Sequence, residues 1–168
     1  MIIKKIEYLK CYIIVARIFK HIKTDTIIEN LDEYEGIFAI ISRKSVISLR
    51  QLENAANNLL DILDLPWIKN LGLRFLAIIV GERQIKDALN IARPEDQDSL
   101  LIWLTNNIDK LDDLLEKLNN IGIIVKEKIV FGDPEIFADI YGFNKKHGIN
   151  QLEKSILEKQ AILKLNLI

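Results

Sequence analysis

The sequence predicts a single α+β domain over residues 1–168, a mixed, mostly antiparallel sheet flanked by helices. Three observations carry this expectation. Two adjoining runs, Ile2 to Tyr8 and Cys11 to Phe19, are dense in β-branched and aromatic residues, as in an antiparallel pair of strands. Leu49, Leu52, Ala55, Ala56, Leu59, Leu60 and Leu63 recur at helical spacing. Only seven glycines and three prolines occur in 168 residues, so connections are short, and no repeat or low-complexity linker divides the chain.

The remaining elements follow in order. Thr24 or Asp25 is placed to cap a short helix over Thr26 to Tyr34, which Gly36 ends. Ile37 to Ile41 begins another apolar run. Ser48 is a natural N-cap for the leucine-rich helix, because its hydroxyl can accept an amide of the first turn, and Pro66 marks the stop beyond Leu63. Leu71 to Val80 fits a helix or a buried strand, and its length favours a helix. Gly81 permits a turn there. Ile85, Ala88, Leu89 and Ala92 then form the stripe of a further helix, closed by Pro94. Ser99 to Thr105 reads as a buried strand. Asp109 to Ile121 reads as a helix stopped by Gly122. Ile123 to Val130 reads as a strand, and Asp133-Pro134 opens a short helix. Gly148 to about Gln160 is the last helix. Beyond it Leu163, Leu165 and Leu167 alternate with Lys164 and Asn166, the pattern of a terminal strand.

Charge bounds the function. The chain carries a formal net charge of −1, which gives no global attraction to a polyanion. Locally the balance differs. Residues 1–23 hold Lys4, Lys5, Lys10, Arg17, Lys20 and Lys23 against Glu7 alone, whereas residues 25–35 are acidic. Lysines on such a segment also discourage edge-to-edge pairing of a strand. The single cysteine, Cys11, excludes an intrachain disulfide and fits a reducing cytoplasm. No long apolar run follows the N-terminal basic residues, so no signal peptide is expected. No run approaches the ~18 apolar residues of a membrane span.

Catalytic chemistry has little to work with. Cys11, His21 and His147 lie far apart and lack metal-ligand spacing, so no metal and no cofactor are expected. Asp109, Asp112, Asp113 and Glu116 surround a helix start, where carboxylates favour the helix dipole before they suggest acid–base chemistry. There is no phosphate-binding glycine loop, nucleophile elbow or dinucleotide fingerprint. The chain is not expected to be an enzyme.

One polar feature stands out, the turn Gly81-Glu82-Arg83-Gln84-Ile85 between two helical segments. Arg83 and Lys86 lie three apart near a helix start, and Lys69, Arg74 and Arg93 add charge if they fold nearby. A helix N-terminus with basic side chains is competent to hold a phosphate. Gln84 adds a hydrogen bond for a base or sugar. On charge pattern alone, a solvated helix face paired through Glu82 and Asp87 is the better reading.

Several ordered segments resemble a known family. Phe38 to Leu60, FAIISRKSVISLRQLENAANNLL, is similar to a segment in which an apolar strand, an INP-like turn (here Ile41-Ser42-Arg43) and an I-x-S step (Ile47-Ser48) lead into an alanine-containing helix. Leu71 to Ala92 resembles the second signature: an apolar helix, a Ser-Gly pair, Arg-Gln-Ile and an A-L helix. Gly81, Arg83, Gln84, Ile85, Ala88 and Leu89 match it. Gln151 to Leu165 resembles the closing helix. The family is the small accessory subunit of the KEOPS complex, the PRPK-binding protein (TPRKB) family. The resemblance implies a non-catalytic subunit that binds the complex's small atypical kinase/ATPase. In its archaeal form it also binds the 3′ CCA end of tRNA for threonylcarbamoyladenosine modification. The resemblance places Gly81, Arg83, Gln84 and Ile85 in a tRNA-binding set, to which the local charge pattern adds Lys69, Arg74 and Lys86. A pure kinase adaptor without RNA binding is the alternative, and a partner-independent enzyme using the Asp109–Glu116 carboxylates is a third reading. Two positions depart from the pattern: Val80 replaces the serine before the glycine, and Arg74 stands where an acidic residue is common.

Overall fold

The computed structural model describes residues 1–6 and 10–168 and has the expected α+β class. The chain forms two compact units, residues 1–42 with 94–130 and residues 43–93 with 131–168.

The first unit is built on an antiparallel sheet. Strands β1 (Ile2–Ile6), β2 (Cys11–Phe19), β3 (Ile37–Ser42) and β4 (Asp98–Thr105) lie in the order β1-β2-β4-β3. The short β5 (Ile124–Lys126) also pairs with β2. β1 runs along Cys11 to Val15 and β5 along Arg17 to Phe19, so the two share one edge of β2. Ile14, Ala16 and Ile18 alternate onto one face, where they meet Ile27 and Leu31 of α1 (Thr24–Leu31) and Leu114 and Leu118 of α5 (Leu111–Asn120). This period-two pattern made the strands readable. Trp103 of β4 lies in this core, 1% exposed, and its indole N–H donates to Glu35 O at 3.0 Å.

Two expectations in this unit are corrected. The first helix starts two residues early and ends at Leu31, before Tyr34. Its N-cap is Lys23, and neither Thr24 nor Asp25 caps it, because the Thr24 hydroxyl donates instead to Pro94 O at 2.8 Å. The strand expected over Ile123 to Val130 is paired only at Ile124–Lys126. Apolar alternation gives a strand its faces, but only a neighbouring backbone gives it a ladder. The expected end of the first strand, at Tyr8, lies outside the described residues.

The second unit is helical: α2 (Leu49–Asp61), α3 (Leu71–Val80), α4 (Ile85–Ala92), α6 (Pro134–Tyr141) and α7 (Ile149–Leu165). Ser48 caps α2 as expected, its side chain accepting from Gln51 N at 3.2 Å. Asp133 caps α6, with Pro134 at the first helical position. α3 is helical, as its length favours, and is buried from Arg74 to Val80. It packs against α2, α4 and α7. The terminal strand is not formed: α7 continues to Leu165. Leu152, Ile156, Gln160 and Leu163 are buried at helical spacing, so Leu163 belongs to a helical stripe, while Leu165 is exposed and Leu167 lies beyond the helix. Among the described residues, no helix is long and apolar enough to cross a membrane.

Candidate functional site

The turn after α3 is fixed by its glycine. Gly81 adopts φ 70°, ψ 33°, the left-handed conformation that side chains other than glycine's resist. Its N–H donates to Ala77 O and Ile78 O, and Glu82 N donates to Ala77 O at 3.0 Å, which satisfies carbonyls left over at the helix end. Glycine is also needed for space, since a Cβ here would lie 2.8 Å from Lys159 Cγ. The stem of that lysine runs against the turn and delivers its ammonium to the Glu82 carboxylate. The same ammonium lies 5.5 Å from the centre of the Tyr141 ring.

This pairing decides the electrostatics of the turn. Glu82 is engaged by Lys159 on α7 and is not the partner of its neighbours in sequence. Arg83, Gln84 and Lys86 are exposed and Ile85 is half-buried. Among the described residues neither Arg83 nor Lys86 makes an ion pair. Gln84 is the N-cap of α4, and its side chain makes no capping bond.

Arg74 must be removed from the set of exposed cations. It is 5% exposed and turned into the protein. Its Nε donates to Ile68 O at 2.7 Å, and its Nη1 to Ile62 O at 3.2 Å and Leu63 O at 2.7 Å. A guanidinium can serve several carbonyls at once because its donors form a rigid planar fork. Arg74 therefore clamps the loop between α2 and α3. That loop carries Trp67, whose indole N–H donates to Arg83 O at 3.3 Å. Lys69 lies two residues further on and is exposed. Loop 62–70 and turn 81–86 thus meet at Trp67 and Arg83. The side chains gathered there offer cations, an amide and a half-buried indole, which are groups for binding an anionic, planar ligand.

No family model matches the chain, and no curated protein matches it in sequence.

Beneath the turn lies a polar network that the sequence did not disclose. Gln51 and Gln160 are fully buried. The Gln51 amide donates to Ile79 O at 3.1 Å and to Ser45 O at 3.2 Å, and its oxygen accepts from Ile47 N at 2.9 Å. The Gln160 amide donates to Ile79 O at 2.9 Å and Gln51 O at 3.2 Å, and its oxygen accepts from Asn54 at 2.7 Å. Ile79 O is among the last carbonyls of α3, which have no partner within the helix. The two glutamines supply it. Tyr141 donates to Ser45 O at 2.8 Å, and burial pushes its phenol well above the usual range. A buried glutamine leaves no periodic trace in a sequence, and its partners here are backbone atoms from distant segments.

Other candidate groups lie in the first unit. Cys11 is buried, and burial pushes its thiol up. Lys20 is 2% exposed; burial lowers its ammonium pKa, while Glu95 and Asp96 oppose the shift. Of the acidic helix start, Asp113 pairs with Lys110 at 3.2 Å. Lys117 pairs with Glu33 at 2.8 Å. Among the described residues, no His, Cys, Asp and Glu group has the geometry to hold a metal.

Proposed function

We propose that this chain is a non-catalytic accessory subunit of a KEOPS complex. In this reading it binds the complex's small atypical kinase/ATPase in the cytoplasm. It also holds the 3′ CCA end of tRNA for threonylcarbamoyladenosine modification. The observation that carries the reading is the Gly81 turn: Lys159 draws off Glu82, leaving exposed and unpaired the Arg83 and Lys86 of the segment that resembles the family signature. Exposed cations and polar groups suit single-stranded ends, which are held by backbone charge and splayed bases. Arg83, Gln84 and Lys86 are the contact residues in this reading, with Lys69 on the loop that carries Trp67. Gly81 and Ile85 shape the turn, and Arg74 acts by holding loop 62–68.

Comparing intact tRNA with tRNA lacking its CCA end tests the reading. Binding should be lost with the CCA end. The folded Arg83→Glu/Lys86→Glu variant should bind more weakly and with a flatter salt dependence, because fewer counterions are released. Equal binding of both tRNAs would remove the 3′ end from the proposal.

The kinase-adaptor reading keeps one observation in its favour. Leu63, Leu71 and Leu73, around the same loop, are 36–39% exposed, and apolar exposure of this kind suits a protein partner. It predicts a kinase complex that survives the charge reversal and no tRNA shift in a gel.

A further inference from the structure

We infer that Trp67 is a base-stacking platform for a single-stranded nucleic acid end bound at the Arg83 turn. The inference rests on the reading that this turn binds RNA, and it names a contact that neither the charge pattern nor the resemblance supplied.

Two tryptophans occur in the chain. Trp103 is a core residue, 1% exposed. Trp67 is half-buried and lies in a loop that follows Pro66. Its indole N–H is held by Arg83 O at 3.3 Å, which ties the ring to the cationic turn. Its own N–H donates to Leu65 O at 2.8 Å, and Arg74 fixes the carbonyls of Ile62, Leu63 and Ile68 from within. The ring is therefore held before a ligand arrives, which removes part of the ordering cost of binding. Arginine and lysine beside an aromatic ring form the pairing that single-stranded nucleic acids require: charge for the backbone and a π face for a base. Stacking is indifferent to which base is presented, so any sequence preference must come from polar neighbours such as Gln84.

The test is tryptophan fluorescence of the full chain titrated with a short RNA ending in CCA. Trp103 provides a constant background, so quenching reports Trp67. Trp67→Ala should weaken binding about tenfold and leave the salt slope unchanged, because stacking releases no counterions. Trp67→Phe should keep most of the affinity, and it remains informative if the alanine variant fails to fold. RNA binding without quenching, or with full affinity in Trp67→Ala, overturns the platform and leaves the RNA reading standing. Quenching by RNA with equal affinity for tRNA with and without its CCA end keeps the platform and removes the 3′-end assignment. No binding of RNA by the wild type removes both.

Discussion

Three side chains govern the Gly81 turn from beneath: Arg74, Lys159 and Gln160. Arg74 is an arginine whose three acceptors are all backbone carbonyls of one loop. Arg74→Met keeps much of the apolar stem and removes every donor. The expected cost is about 3 kcal/mol, since buried acceptors of a charged donor are left unpaired. Urea denaturation measures it, and a loss below about 1 kcal/mol would show that water replaces the clamp. Lys159 and Glu82 are both about one-quarter exposed. Their coupling should be modest, on the order of 0.5–1 kcal/mol in a double-mutant cycle of thermal melts with Lys159→Met and Glu82→Gln. On ligand binding the same cycle has a sharper signature. In the proposed RNA-binding role, Lys159→Met should weaken binding by freeing Glu82 beside Arg83, and adding Glu82→Gln should restore it. A double variant as weak as Lys159→Met would mean that the lysine acts on the turn by packing alone.

At the scale of elements, α3 is held at its C-terminus by residues from two other helices. Gln51 of α2 and Gln160 of α7 converge on Ile79 O. Gln160→Ala should cost about 2 kcal/mol by removing one of the two donors to Ile79 O and the acceptor of the Asn54 amide, whereas Ser48→Ala, at a partly exposed cap, should cost about 1 kcal/mol. Chemical denaturation ranks the two, and a reversed order would place the greater weight on the cap. The helices were legible because each repeats its apolar residues every three to four positions, and the caps at Ser48 and Asp133 because capping is local. The terminal strand fails for an instructive reason: Leu163, Leu165 and Leu167 satisfy a period of two over five residues, but only Leu163 continues the buried stripe of Leu152 and Ile156. The site was half legible. Gly81, Arg83 and Lys86 announce themselves by residue type. Trp67, Arg74 and Gln160 act on the turn or the segments around it through backbone carbonyls, to which residue identity gives no clue, and Lys159 reaches Glu82 from a distant helix.

For the whole molecule, neither compact unit is a continuous stretch of chain. A fragment of residues 43–93 contains α2, α3 and α4 but lacks α7, and with it one donor to Ile79 O and the partner of Glu82. Such a fragment should show little cooperative unfolding by circular dichroism; a sharp transition would mean that α7 is dispensable. Alkaline pH probes the same assembly. The Tyr141 phenol is raised by burial and stays protonated in the folded chain, so the unfolded chain loses this proton first. The stability it contributes is intact below the ordinary tyrosine range and is lost as pH rises above it. Tyr141→Phe should flatten that alkaline loss in pH-dependent melts, and an identical decline in both proteins would assign it to other groups.

The Ile79 carbonyl accepts two side-chain amide protons at once, one from each of two other helices. Doubly accepting oxygens carry weaker, lower-frequency C=O stretches than singly bonded ones. A carbon-13 label at that single carbonyl would therefore give an infrared band displaced from the rest of α3. Its position would register, bond by bond, whether α2 and α7 are both seated, and would do so without perturbing any residue of the turn above.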